Sequence, residues 1–413
     1  MKQQLLFALF ILTTLMACQT TTKDTNNDTP QPLLQVGEWK GAFTIDSTGK
    51  TIKVALEVIS DQEIWFKNGE EKIVVNHIEV DSQQLRIVMP VFGSIFELVR
   101  QNENQWKGKW INNHKKDYEM PFVADYVGTK QTVDTKPNID FAERWQVTFS
   151  PNTPDAYPAI GLFEVSSEGA ATGTFLTETG DYRYLVGDLQ GNQLTLSCFD
   201  GAHVFLFEAV FKEEVQLLEG TFWSGKHWKE SWTATPNDTF ELAQMDTLTH
   251  LKAGLETIAF KLPTITGDSI SLTDSRFEGK PTIVQIMGTW CPNCMDETRF
   301  FVDMYEQYHS KGLEIVAIDF ELIDDITVFA ESVIRMQQDL GVQYPIVYGG
   351  YASKIEAAKV LPQLNHILSY PTSIFIDKQG KVKAIHTGFS GPGTGIIYDN
   401  YTQRTRQLIE ELL

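Results

Sequence analysis

Pro281-Thr-Ile-Val-Gln-Ile-Met-Gly-Thr-Trp-Cys-Pro-Asn-Cys-Met-Asp-Glu297 sets a Cys-x-x-Cys pair between an apolar run and a helical pattern. Ile283, Val284, Ile286 and Met287 are apolar with little alternation, as in a strand covered on both faces. Beyond the cysteines, Phe300, Phe301, Met304, Tyr305 and Tyr308 recur at three- and four-residue spacing and Gly312 follows, which predicts a helix from about 292 to 311. Cys291 then falls at the N-cap, with Pro292 at the first helical position, where a missing N–H costs nothing.

Unpaired N–H groups and the positive end of the helix dipole face a sulfur so placed and favour its thiolate. In such motifs the thiol pKa falls from about 8.5 to roughly 3.5–7.5. Cys291 is therefore the candidate nucleophile, and Cys294, one turn on, the resolving thiol that closes or opens a disulfide with it. Trp290 shields one side of the pair. A zinc site needs two more ligands, yet the only other cysteines are Cys18 and Cys198, and the eight histidines lack ligand-like spacing. A purely structural disulfide across two intervening residues closes too small a loop to stabilise much. No metal or cofactor is called for.

These residues resemble the thioredoxin-fold disulfide oxidoreductases, and among them the TlpA/ResA-like extracytoplasmic group, over about 258–413. Three further pieces carry the resemblance. Tyr370-Pro371-Thr372, before the apolar run Ser373-Ile-Phe-Ile-Asp377, is similar to the cis-proline loop that lies against the cysteines in this fold. Lys378-Gln-Gly-Lys381 is similar to the hairpin turn that follows. Glu297, three residues after the second cysteine, matches an acidic residue that tunes the thiols in ResA-like proteins. The resemblance implies that Tyr370 presents backbone to a substrate strand while Cys291 attacks its disulfide, and that Trp290, Pro292, Pro371, Gly388 and Phe389 help to form the groove. One position departs: thioredoxins carry a buried Asp six residues before the first cysteine, and here it is Gln285. A neutral amide is no general base, so the proton-transfer role passes to Glu297 or to water; otherwise Glu297 is an ordinary first-turn acid favoured by the dipole.

The first eighteen residues have a basic start, a short apolar core and Leu15-Met16-Ala17-Cys18, which resembles a bacterial lipobox. They read as a secretory signal (1–17), with lipid on Cys18 and a polar, aperiodic tether through residue 32. No later run approaches a membrane span in length. The formal net charge of −20, from 34 Lys+Arg against 54 Asp+Glu without a basic run, argues against nucleic-acid binding.

Between tether and dithiol domain, short apolar runs such as Lys53-Val-Ala-Leu-Glu-Val-Ile59 and Leu85-Arg-Ile-Val-Met89 alternate with turns such as Asn68-Gly69. They predict antiparallel meanders forming a sandwich or open barrel. A second module parallels the first: Gln84-Leu85 through Phe96-Glu97, then Trp106 to Trp110, then Phe122 to Ala124, match Gln193-Leu194 through Phe207-Glu208, then Glu219 to Trp223, then Trp232 to Ala234. Their aromatics read first as packing for small cores and second as a binding face. Cys198 reads as a buried, inert thiol. The chain is therefore multidomain: β modules at 33–126 and 140–235, then an α/β thioredoxin-like domain with a central mixed sheet at 257–413.

Within that domain the expected order is a strand and hairpin at 258–272, a second buried strand at 313–319, a helix at 325–340, a short strand at 344–347, a short helix at 353–361, a last strand at 381–385 and a closing helix at 401–413. The functional expectation is a lipid-anchored oxidoreductase on the periplasmic side of a bacterial membrane, reducing disulfides of exported proteins and recharged by a membrane electron donor. The alternatives are a peroxiredoxin-like peroxidase, which requires a threonine where Gly288 stands, and a binding or assembly lipoprotein led by its β modules.

Overall fold

The computed structural model describes residues 33–128 and 141–413. Cys18, the polar tether and most of the linker between the β modules lie outside the described residues. The first sheet comprises β1 (Gly37–Thr44), β2 (Thr51–Ser60), β3 (Glu63–Asn68), β4 (Glu71–Val75), β5 (His77–Val80), β6 (Gln84–Val88), β7 (Ile95–Asn102), β8 (Gln105–Ile111) and β9 (Glu119–Gly128). Alternation makes them strands: along β2, Ile52, Val54, Leu56 and Val58 face the core between Thr51, Lys53, Ala55 and Glu57. Neighbours in sequence pair antiparallel except β4 and β5, and β1 returns to pair with β9. Only Asn76 separates β4 from β5, so together they form one bent strand that leaves β3 and joins β6. The ring is thus an eight-membered up-and-down barrel rather than a sandwich or an open barrel.

The second module holds β10 (Arg144–Phe149), β11 (Tyr157–Val165), β12 (Ala170–Thr177), β13 (Gly180–Asp181), β14 (Leu185–Gln190), β15 (Gln193–Phe199), β16 (Val204–Lys212), β17 (Leu217–Ser224) and β18 (Trp228–Pro236). It closes the same way, β18 onto β10, while the two-residue β13 folds back on the end of β12. The segments matched in sequence occupy the fifth to eighth strand positions of each ring. Both interiors are filled. Phe207 lies stacked between Phe175 and Phe222, each 4.4 Å away by ring centroid, and Trp39, Trp106, Trp110 and Trp232 are buried, whereas Trp228 stays exposed. Neither barrel is a calyx.

The barrels are joined by a shared core. Phe199, Val204 and Leu206 of the second module belong to the apolar cluster of the first, with Phe199 5.2 Å from Phe43 and 5.1 Å from Phe66 by ring centroid. Buried Asn68 fixes the backbone there, donating to the Phe199 carbonyl at 2.9 Å and accepting its N–H at 3.2 Å.

After a connector containing the short helix α1 (Met245–Leu248), the third module opens with the hairpin β19 (Lys261–Pro263) and β20 (Ser269–Ser271). Its sheet is β21 (Thr282–Met287), β22 (Glu314–Glu321), β23 (Ile346–Tyr351), β24 (Thr372–Ile376) and β25 (Val382–Thr387), ordered β23-β22-β21-β24-β25. The first three run parallel and the last two antiparallel. Helices α2 (Pro292–Tyr308), α3 (Ile326–Leu340), α4 (Lys354–Val360) and α5 (Ile396–Leu412) accompany it. Side chains of β21 alternate between two cores, Ile283 and Met287 on one face and Val284 and Ile286 on the other.

Local chemistry moves several expected boundaries. The hairpin turn spans Thr264 to Asp268, so only Lys261–Pro263 of the expected first strand pairs. β23 starts at Ile346 because Pro345 has no N–H to give and joins through its carbonyl alone. α5 begins five residues early, immediately after Gly395, whose φ of +58° places it in the left-handed region.

Replacing Asn68 by Ala would leave both backbone groups of Phe199 unpaired in the interior. A loss of about 1–3 kcal/mol in urea unfolding is expected.

Candidate active site

The start of α2 is built as its sequence dictates. Cys291 is extended (φ −100°, ψ 113°), Pro292 takes the first helical position, and the free N–H of Cys294 points at Cys291 Sγ, 3.3 Å away. Cys291 is 7% exposed and Cys294 fully buried; burial first, then the neighbouring Cys291, pushes the Cys294 thiol well above its usual range. The Tyr370–Pro371 peptide bond is cis, and the Tyr370 carbonyl lies 3.6 Å from Cys291 Sγ, in reach of the thiol proton. Trp290 donates its indole N–H to the Phe320 carbonyl (2.8 Å) and meets Tyr370 edge-on at 5.8 Å. A Cβ at Gly288 would sit 2.3 Å from Trp290 Nε1 and 2.8 Å from the Phe320 carbonyl oxygen, so this turn accepts no larger residue there.

Beneath the pair lies Glu297. It is the sixth residue of α2 rather than a first-turn acid, and it is fully buried. Its carboxylate accepts from Gln285 Nε2 (2.9 Å), Ser373 Oγ (2.9 Å) and Tyr401 OH (3.1 Å). Desolvation outweighs these hydrogen bonds and raises its pKa to about 7. Spacing of i, i+3 on one helix face brings it beside Cys294. Gln285 therefore orients the acid, while Thr298 Oγ1 holds the Gln285 carbonyl at 3.3 Å.

A second acidic cluster, not singled out from sequence, supports the turn from below. Asp319 accepts the Thr289 N–H (3.0 Å), Thr289 donates its hydroxyl to Glu321, and His114 of the first barrel stands 3.8 Å from Glu321. Burial, then the charge of Glu321, holds the Asp319 carboxyl well above its ordinary range.

The second barrel covers this face. Arg183, buried between β13 and β14, pairs with Asp296 of α2 and Glu71 of the first barrel, and donates to the Pro292 carbonyl at 3.5 Å. Asp181 accepts the Gly391 N–H at 2.7 Å, and burial raises its pKa to about 6 against the pull of Arg183. Asn293 donates to the carbonyls of Asp181 and Phe389, 3.3 Å each, and Ser369 Oγ to that of Thr179 at 3.1 Å. The expectation of an open groove at Gly388 and Phe389 is corrected here. Phe389 is a core residue, and a Cβ on Gly388 would lie 2.7 Å from the Thr179 backbone. Pro292 is likewise buried. None of Thr179, Asp181 or Arg183 carries a sequence signal, since they follow a strand whose only visible message is alternation. Cys198 is buried, and desolvation pushes its thiol well up.

Residues 253–385 match a family model described as AhpC/TSA family. A ResA thiol-disulfide oxidoreductase of Halalkalibacterium halodurans is 30% identical over 137 residues, covering 33% of this chain and 69% of that protein. ResA of Bacillus thuringiensis subsp. konkukian is 31% identical over 132 residues, 32% and 68% respectively. A solved thioredoxin-family thiol:disulfide interchange protein of Chlorobium tepidum is 21% identical, covering 38% of this chain and 94% of its own, with a TM-score of 0.30. Fold and site define a thioredoxin-fold thiol-disulfide oxidoreductase. The chain belongs to the ResA-like family of these enzymes.

The raised pKa of Glu297 has a signed consequence. The folded protein keeps a proton that the unfolded chain releases near 4.5, so this stabilising contribution is present below pH 4.5 and is lost as pH rises through about 7. Glu297→Gln removes that titration. Chemical denaturation at a series of pH values should show the variant's stability falling less across this window, by about 3 kcal/mol.

Proposed function

We propose that this protein is a membrane-tethered, extracytoplasmic oxidoreductase that reduces disulfides of exported proteins through Cys291 and Cys294. The arrangement that carries this reading is the placement of the two sulfurs, with Cys291 Sγ at the helix N-cap, Cys294 buried behind it and Glu297 beneath. The lipobox-like sequence ending at Cys18 and the polar stretch after it support attachment through lipid on the periplasmic side of a bacterial membrane.

In the forward reaction the Cys291 thiolate attacks one sulfur of the substrate disulfide. A new bond joins Cys291 to that sulfur, the substrate bond breaks, and the departing thiolate takes a proton. Cys294 then gives its proton to Glu297, which can accept one near neutrality, and attacks Cys291 Sγ. The second substrate thiolate leaves and is protonated. Two electrons have passed to the substrate, and the Cys291–Cys294 disulfide must be reduced again by a membrane electron-donor protein, because the periplasm is kept oxidising. A peroxidase reading requires threonine in place of Gly288, where the Trp290 ring and the Phe320 carbonyl leave no room for a side chain.

Equilibration of the folded body with dithiothreitol or glutathione tests the direction. A potential near or below about −250 mV is expected, and one near about −120 mV would make the protein an oxidant instead. Cys291→Ser should abolish turnover of a disulfide-bonded protein substrate, whereas Cys294→Ser should accumulate a mixed disulfide that nonreducing gels and mass spectrometry detect.

A further inference from the structure

Cys291 is 7% exposed, and the partly exposed residues beside it are Trp290 and Asn293 of the dithiol turn and Ser369 and Tyr370 of the cis-proline loop, whose Tyr370 carbonyl lies 3.6 Å from Cys291 Sγ. Together with buried Gly388 they form the surface over which a disulfide would reach the sulfur. The connection from Thr177 to Arg183 lies on that surface. It contacts the cis-proline loop through Ser369 Oγ and the Thr179 carbonyl (3.1 Å), the dithiol turn through Asn293 Nδ2 and the Asp181 carbonyl (3.3 Å), and the loop after β25 through Asp181 and the Gly391 N–H (2.7 Å). A Cβ at Gly180 would be 2.5 Å from the side-chain Nδ2 of Asn293 and 3.2 Å from the Phe389 carbonyl oxygen, so the connection lies closely against both. What remains open beside it is a cleft of about 490 Å³ bounded by Tyr157, Glu178, Tyr182, Asn293, Ser369 and Tyr370.

We propose that the Thr177–Arg183 connection is a lid that determines which disulfides Cys291 can take. With the lid closed, the strip beside Tyr370 and Gly388 is occupied by the protein's own backbone, and a small disulfide can enter by the cleft. An extended polypeptide disulfide engages only when the lid lifts. The lid's contacts are few toward the third module and firm at one end: Thr177 to Asp181 meets that module through three hydrogen bonds, two of them at Asp181, while the Tyr182 ring in the barrel's aromatic core and Arg183 on Asp296 and Glu71 anchor the far end. This depends on the thiol chemistry of Cys291 and not on the direction of electron flow, so a potential that overturned the reductase reading would leave it standing.

The direct test traps the encounter. In a Cys294→Ser protein, Cys291 attacks a peptide disulfide, one peptide sulfur stays bonded to it and the other leaves as a thiol, so the adduct persists. Hydrogen exchange of the amides from Thr177 to Arg183 should accelerate in the adduct with an extended peptide and stay unchanged in the adduct with mercaptoethanol. Unchanged exchange with the peptide, or equal acceleration in both, would overturn the lid. A second measurement uses Gly180→Val as a wedge against Asn293. A lid open about a tenth of the time lowers the peptide's exchange rate about tenfold, so the wedge should restore about that factor for the peptide disulfide while hydroxyethyl disulfide stays within about twofold. A peptide rate unmoved in a wedged protein whose Thr177–Arg183 amides exchange freely contradicts the proposal.

Discussion

The interaction on which this site depends is the hydrogen bond from the Cys294 N–H to Cys291 Sγ. It exists because a helix leaves its first N–H groups without partners, and because Pro292 starts α2 where its own missing N–H is no loss. The same geometry puts Cys294 on the inward side of the helix, where burial keeps its sulfur protonated. One thiol is thus set to attack and the other to wait, and Glu297 lies one further turn along the same face. Packing of α2 against β21 through Phe301, Met304 and Ile283 keeps the three in line.

Around that line the protein buries several ionisable side chains. Glu297 is held by three side-chain donors, Asp319 and Glu321 share the floor of the turn with Thr289, and Arg183 joins Asp296 to Glu71. Buried ion pairs stabilise a fold weakly at best, because desolvation offsets their attraction, but breaking one is costly. Their effect here is geometric. They tie the first turn of the dithiol helix to both barrels, so that neither β module is an independent appendage of the catalytic one.

Much of the catalytic module could be read from residues alone. The unbroken apolar character of β21 and the cap chemistry of Cys291 and Pro292 are local, and local rules settle them. Gln285 and Glu297 were each conspicuous in sequence, yet the amide's role as the acid's orienting partner depends on a strand and a helix meeting in space. The barrels were legible as alternation and as a repeat, but closure was not. It rests on pairing of β1 with β9 and β10 with β18, about ninety residues apart, and on a single bend at Asn76. Arg183 and Thr179 were invisible for the same reason: an arginine after a two-residue strand looks solvent-bound until another module is docked on it.

The measurement that bears most directly on the division of labour between the thiols is brief alkylation of the reduced protein with iodoacetamide at neutral pH, mapped by mass spectrometry. The structure predicts that Cys291 carries the adduct while Cys294 and Cys198, both buried and with their thiols pushed upward, stay unmodified until the protein is unfolded. Modification of Cys294 before Cys291 would contradict the assignment of attacking and resolving sulfurs on which the mechanism stands.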